Sequence, residues 1–263
     1  ERLTQKTPEP GKLPPLLRKI EMDTSTPASL TQLYTLVPSH MREPYLVHLL
    51  HHPPCQMVEV RTDLSDVYRT HKPKLPREEA PAYPLSIIFV ARCKSAELLS
   101  RMLTELGVPN VSLHSMLPQS TRLHNLHMFR ARRVPILIST DVGSRGLDVP
   151  DVELVVNWDV PAAWEDYVHR VGRTARKGRP GWAVSFVTEH DVELVQTIED
   201  KIHKTLTEWD MPESQVLERL SHVSAAKRVA SMALHDEKFG EQRERNKRKA
   251  QASQPRSKKH HVQ

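Results

Sequence analysis

Residues 134–160 read VPILISTDVGSRGLDVPDVELVVNWDV. Two apolar runs, Val134–Thr140 and Val152–Trp158, flank a loop that holds Asp141, Gly143, Gly146 and Asp148. Neither run alternates polar with apolar residues. A strand that is apolar throughout has both faces to cover, and the arrangement that does so is a parallel sheet packed between helices.

The same rhythm extends outward. Leu85–Val90, Val111–His114 and Trp182–Val187 are further strand-like runs. Lys94–Leu106 carries Ala96, Leu98, Leu99, Met102 and Leu103 at helical spacing, and Pro118–Arg132 and Ala162–Thr174 also read as helices. His190 to about Trp209 reads as one long amphipathic helix. Upstream, Thr31–Val37 is β-like and His40–Leu50 helical. Strands alternating with helices of about 10–15 residues predict an α/β fold with helices on both faces of a parallel sheet.

Three regions break this rhythm. Residues 1–30 are polar and contain five prolines, which reads as a linker or the end of a preceding domain. Residues 51–84 hold six more prolines and read as an insertion within a domain spanning 31–209. Residues 210–263 read as a helical extension, helix-prone over Glu213–Phe239, followed by a basic tail.

The formal net charge is +6, and Glu241–Gln263 alone carries eight Lys/Arg against two Glu. The tail accounts for the whole excess. The folded part must therefore recognise any polyanion by a local arrangement of charges. No run of about 18 apolar residues appears, so no transmembrane helix is expected. The two cysteines, Cys55 and Cys93, lie in no CxxC or metal-ligand spacing and read as free thiols in a reducing compartment.

Three clusters carry candidate chemistry, and by the rule for open parallel sheets each is expected beyond the carboxyl ends of the strands. The first is Ser139–Asp148, where Gly143 and Gly146 allow close backbone approach, Thr140 offers a hydroxyl and an amide, and Asp148 suits a ribose hydroxyl. Taken alone, a plain strand-to-loop turn with a solvated Arg–Asp pair is the better reading. The second is His169–Arg176. On a helical turn Arg173 and Arg176 point the same way, and paired guanidiniums match phosphate oxygens. Any one of these arginines also fits a solvated helix end. The third is Gln119 and Arg122 with Phe129 further along, equally readable as a phosphate-contacting helix start or as a solvated turn with Phe129 in the core.

In order along the chain, Ile87-Ile88-Phe89-Val90, Gln119-x-x-Arg122, Ser139–Asp148, Asn157–Pro161 and His169–Arg176 resemble motifs IV to VI of the DEAD-box RNA helicases. The resemblance covers about Thr26 to Trp209 apart from the insertion. It implies the second RecA-like domain of a two-domain ATP-dependent motor, with ATP in the cleft between domains and RNA crossing both. By matching position, Arg173 and Arg176 resemble the arginine fingers, and Asp148 and Gly146 the nucleotide contacts. Gln119, Arg122, Thr140 and Gly143 resemble RNA contacts. Arg145, His169 and Arg170 resemble parts of the interdomain network. Thr26–Pro38, His114-Ser115 and Phe186–Asp200 are similar to the DEAD-box protein eight branch, which implies pre-rRNA as partner, small-subunit ribosome biogenesis and a nuclear, nucleolar location.

The eight glycines begin no GxxxxGK[ST] phosphate loop, and no Asp-Glu-Ala-Asp quartet occurs. The resemblance therefore places the Mg²⁺ ligands and general base in a first RecA-like domain outside this sequence. The chain alone is expected to be an incomplete enzyme, and the linker-like start favours a fragment. The alternative is a non-catalytic RNA-binding module.

Overall fold

The computed structural model describes residues 27, 29–54, 83–144, 149–237 and 239. Most of the proline-rich insertion, Cys55, the basic tail and the triplet Arg145, Gly146 and Asp148 lie outside the described residues.

In chain order the elements are β1 (Leu30–Leu36), α1 (Arg42–His51), β2 (Ser86–Phe89), α2 (Cys93–Glu105), β3 (Asn110–Leu113), α3 (Gln119–Arg130), β4 (Ile136–Ser139), α4 (Asp141–Ser144), β5 (Leu154–Asn157), α5 (Trp164–Val171), β6 (Gly181–Val187), α6 (Val192–Ile202), β7 (Thr207–Glu208), α7 (Glu213–Glu218) and α8 (Leu220–Asp236). The strands form one seven-stranded sheet in the order β3-β4-β2-β5-β6-β1-β7, and every neighbouring pair is parallel.

The continuous apolar strands are explained by two cores, one on each face. Ile88, Ile136, Ile138, Val156, Val184 and Phe186 face α1, α2, α7 and α8. Their sequence neighbours Ile87, Phe89, Leu137, Val155, Ala183 and Val187 face α3, α5 and α6. Adjacent strand residues point to opposite faces, so each residue of a short central strand lands in one core or the other. Phe129 is fully buried, which decides its reading in favour of the core.

The long helix expected to run to Trp209 ends instead at Ile202. His203 adopts a left-handed conformation (φ +52°) and caps it. The chain then turns back, β7 pairs with Leu33 and Tyr34 of β1, and the Trp209 amide donates to the Tyr34 carbonyl at 2.7 Å. Beyond it, Val216, Val223, Ala226 and Ala230 of α7 and α8 are buried in the first core, so these helices complete that layer.

The end of α8 is fastened to α2 through charge. Arg101 on α2 donates two hydrogen bonds to Glu237 at 2.8 and 2.6 Å and a third to Glu97 at 3.0 Å. Glu97 in turn accepts from Ser112 on β3 at 3.3 Å and meets His114 Nε2 at 3.2 Å. The Glu97 carboxyl is held below the usual carboxylate range, first by the His114 hydrogen bond and then by Arg101, against the opposing effect of burial.

Ile138→Ala, in the central strand β4, should lower the unfolding free energy by about 2–5 kcal/mol in urea titrations; a loss well under about 1 kcal/mol would contradict the burial assigned to it. A carboxylate with a depressed folded pKa stabilises the fold above its unfolded pKa, and that contribution is lost as pH falls through the folded value. Glu97→Gln should therefore be less stable than the parent at neutral pH, with the gap narrowing in acid. A gap independent of pH would contradict the pairing.

Candidate functional site

Two of the three clusters meet at the carboxyl end of β3 and β4. Thr140 leaves β4, and its amide donates to the Leu113 carbonyl at the end of β3 (3.3 Å). Its hydroxyl accepts the Gly143 amide at 3.2 Å, closing the first turn of α4. A hydroxyl that accepts one bond keeps its own proton to donate. Gly143 packs directly on the end of β3: a Cβ at that position would lie 2.2 Å from the Leu113 carbonyl oxygen. Arg122, one turn into α3, donates to the Gly143 carbonyl at 3.3 Å and to Gln119 Oε1 at 2.9 Å. Its Nε is buried and has no hydrogen-bond partner among the described residues. Gln119, Arg122, Thr140 and Gly143, from two separate stretches of sequence, thus form one small cradle of hydrogen-bond donors.

Arg170 organises the same end of the sheet from beneath. It is only 3% exposed. Its guanidinium grips the Asp141 carboxylate with two bonds of 2.7 Å, donates to the Asp159 carbonyl at 2.7 Å and to Asn157 Oδ1 at 3.3 Å, and lies 5.2 Å from the centre of the Phe89 ring. Helical side chains lean toward the N-terminus of their helix, so a residue late in α5 can reach back to the carboxyl ends of β2, β4 and β5. Close by, Asp159 accepts from the Ala91 amide and from Arg42, which stacks 4.3 Å over Trp158. His169, the neighbour of Arg170, faces outward and is exposed.

The last arginines of the second cluster, Arg173 and Arg176, lie elsewhere. Sequence spacing predicts Arg173 and Arg176 beyond the carboxyl ends of the strands, on one helical face. Helix α5 instead runs back along the sheet, so its last residues reach the amino ends of β5 and β6. The Arg173 carbonyl accepts the Val152 amide at 3.0 Å, and Thr174 Oγ1 donates to the Val152 carbonyl at 2.7 Å. The helix has also ended before the arginines: α5 stops at Val171, and Ala175 (φ +56°) and Lys177 (φ +58°) turn the backbone left-handed. Arg173 is half-buried. Arg176 stands exposed, its Nε donating to the Gly172 carbonyl and its Nη1 bonded to Asp151 at 3.2 Å. Arg132, Asp151, Glu153, Arg176 and Arg179 line a shallow cleft here.

This arrangement can be set against known proteins. Residues 78–178 match the helicase conserved C-terminal domain. Over 270 residues the chain is 53% identical to the ATP-dependent RNA helicase DBP8 of Mycosarcoma maydis, an alignment covering 93% of this chain and 51% of that protein. It is 41% identical over 245 residues to dbp8 of Schizosaccharomyces pombe, with 92% and 48% covered. The crystal structure of the E. coli DEAD-box protein SrmB bound to the regulator RraA superimposes with a TM-score of 0.54 at 31% identity, covering 70% of this chain and 92% of that one. The chain belongs to the DEAD-box helicase family. S. cerevisiae Dbp5 bound to RNA and ADP BeF3 superimposes at 0.53 with 27% identity, over 76% of this chain and 46% of that one. The chain spans about half the length of the curated relatives it matches.

Within this helicase domain, residue pattern points to Gln119, Arg122, Thr140 and Gly143, which the fold brings together, and to Arg173 and Arg176, which it sets apart from them. Arg145, Gly146 and Asp148 lie outside the described residues. The pattern misses Asp141, Asn157 and Asp159 as holders of Arg170, and Glu97 and His114 beneath the cradle. A buried arginine implies acceptors but does not say where in the sequence they are. Gly143→Ala should displace α4, because the nearest atom to the new methyl is backbone and cannot rotate away. Overpacking of this kind costs about 1–3 kcal/mol. Calorimetry should show a lowered Tm, and an unchanged Tm would contradict the close approach to Leu113.

Proposed function

We propose that the chain is the second RecA-like half of an RNA-stimulated ATPase that separates short RNA duplexes, acting on pre-rRNA during small ribosomal subunit biogenesis in the nucleolus. The observation that carries this reading is the cradle of Arg122, Gln119, Thr140 and Gly143 at one end of the sheet, with an arginine loop at the other end of α5. In this reading, Arg122 and the Thr140 hydroxyl donate to RNA phosphates. The Gly143 backbone approaches the strand where a side chain would obstruct it.

Arg176 keeps an exposed guanidinium anchored by Asp151 and the Gly172 carbonyl, which suits a phosphate presented from a facing domain. With Arg173 it would act as an arginine finger on the ATP γ-phosphate, while Asp148 and Gly146 hold the nucleoside. ATP supplies the phosphoryl group whose developing charge these arginines neutralise. Among the described residues no group of three or more His, Cys, Asp or Glu is placed to hold a metal. By the family resemblance, we assign the Mg²⁺ ligands, with the phosphate loop, to the first RecA-like domain of the same protein. Arg145, His169 and Arg170 would couple the two sites, Arg170 by tying the RNA-facing turn at Asp141 to the helix that leads into the finger loop. The fungal DBP8 relatives support the branch assignment.

In the complete protein, Arg176→Ala should lower RNA-stimulated ATP turnover by about 10³-fold or more while RNA affinity stays near the parent value. Equal loss of both would contradict the finger role. Arg122→Ala should weaken single-stranded RNA binding alike for all sequences and make the salt dependence shallower by about 0.7 for each phosphate no longer neutralised. A changed base preference would contradict a phosphate-binding role.

A further inference from the structure

The cradle stands on the Leu113–His114 peptide. The Leu113 carbonyl accepts the Thr140 amide at 3.3 Å and the Ser139 hydroxyl at 3.1 Å. A Cβ on Gly143 would lie 2.9 Å from the Leu113 carbonyl carbon and 3.0 Å from His114 Cα. Any rotation of this peptide therefore moves the turn carrying Thr140 and Gly143, and with it the carbonyl that Arg122 holds.

The same peptide carries the His114 side chain. It is fully buried although polar. Its Nε2 meets Glu97 at 3.2 Å, and its Nδ1 has no hydrogen-bond partner among the described residues. A proton on Nε2 gives Glu97 its hydrogen bond and leaves only a lone pair unsatisfied, so the ring is oriented by a single partner. That partner is itself fixed, by Arg101 and through it by Glu237. The Phe239 ring closes the far side edge-on, 6.0 Å from the imidazole. On the remaining side, Asn125 of α3 donates to the Ser112 carbonyl at 2.8 Å, tying the helix that carries Arg122 to the same strand.

We propose that His114, held by Glu97, is a positioning residue for RNA binding: it fixes the Leu113–His114 peptide on which the phosphate-contacting turn of Thr140 and Gly143 and the side chain of Arg122 are seated. This rests on the reading of that turn as an RNA-phosphate site. His114 itself touches no RNA and acts only through the geometry of the turn.

The test is fluorescence anisotropy of a labelled single-stranded RNA with the 263-residue chain at several salt concentrations. His114→Leu keeps bulk without the donor. His114→Gln places an amide N–H near the Nε2 position. We expect His114→Leu to weaken binding about tenfold, the scale of one lost charge-assisted hydrogen bond, with a shallower salt slope, and His114→Gln to restore both. Joined to Arg122→Ala, His114→Leu should add little further weakening, because residues serving one interaction are not additive. Additive losses, an unchanged salt slope, or a Gln variant as weak as the Leu variant would overturn the proposal. If His114→Leu fails to fold, Glu97→Ala leaves the ring in place, removes its acceptor and is judged by the same three readouts. If Arg122→Ala binds RNA as the parent does, the cradle reading itself fails, and that single variant identifies the failure.

Discussion

A guanidinium cannot be left alone in a protein interior. Stripping its water costs several kcal/mol unless every donor finds an acceptor in the right direction. Arg170, 3% exposed, meets that demand with Asp141, Asn157 and the Asp159 carbonyl, and with the face of Phe89. These groups come from the ends of three neighbouring strands, β2, β4 and β5. The planar fork admits one arrangement of them, so the loops leaving the sheet are fixed relative to each other and to α5. Asp141 opens α4, and the turn from Thr140 to Gly143 supplies half of the candidate cradle. The geometry of the cradle is therefore a consequence of satisfying one buried charge.

The same helix addresses the opposite end of the domain. Its C-terminal end turns through Gly172 and the left-handed Ala175 into the loop of Arg173 and Arg176. Tyr167 in its middle is buried and donates to Gln32 of β1 at 2.9 Å, which seats the helix on the sheet. Because Arg170 holds Asp141 and Arg173 follows three residues later, a shift of this helix moves both. If RNA and nucleotide both bias its setting against a facing domain, each must tighten the other by the same factor. Arg170, late in α5, and Arg173, three residues further on, connect the two candidate sites to the same end of one short helix, which makes such coupling geometrically simple.

Much of this is legible in residue pattern, for reasons that differ by element. The central strands show because both their faces are buried, so Ile136-Leu137-Ile138 reads as apolar regardless of which core each residue enters. Helix α2 shows because its single buried stripe keeps helical spacing. The end of α6 does not, since His203 adopts the left-handed cap usually given to glycine, and β7 is too short for any period. The Arg173–Arg176 spacing suggests a helical pair, and the positive φ of Ala175, an unmarked residue type, removes it. The support beneath the cradle is invisible for another reason. Glu97 and His114 are 17 residues apart on a helix and at the end of a strand, and only the fold between them makes them partners. Local periodicity reports burial well and long-range polar pairing hardly at all.

If this chain is one half of a two-part ATPase, its RNA-binding groups and arginine fingers are already in place and only the phosphate-holding half must be supplied. That is measured by RNA-stimulated ATP hydrolysis of the chain alone and after mixing with the first RecA-like domain of a DEAD-box relative. No turnover is expected from the chain alone, and RNA-dependent turnover is expected on mixing, abolished when the chain carries Arg176→Ala. Turnover by the chain alone that disappears with Arg176→Ala would be contradictory, because the chain would then hold and cleave ATP by means this structure does not provide.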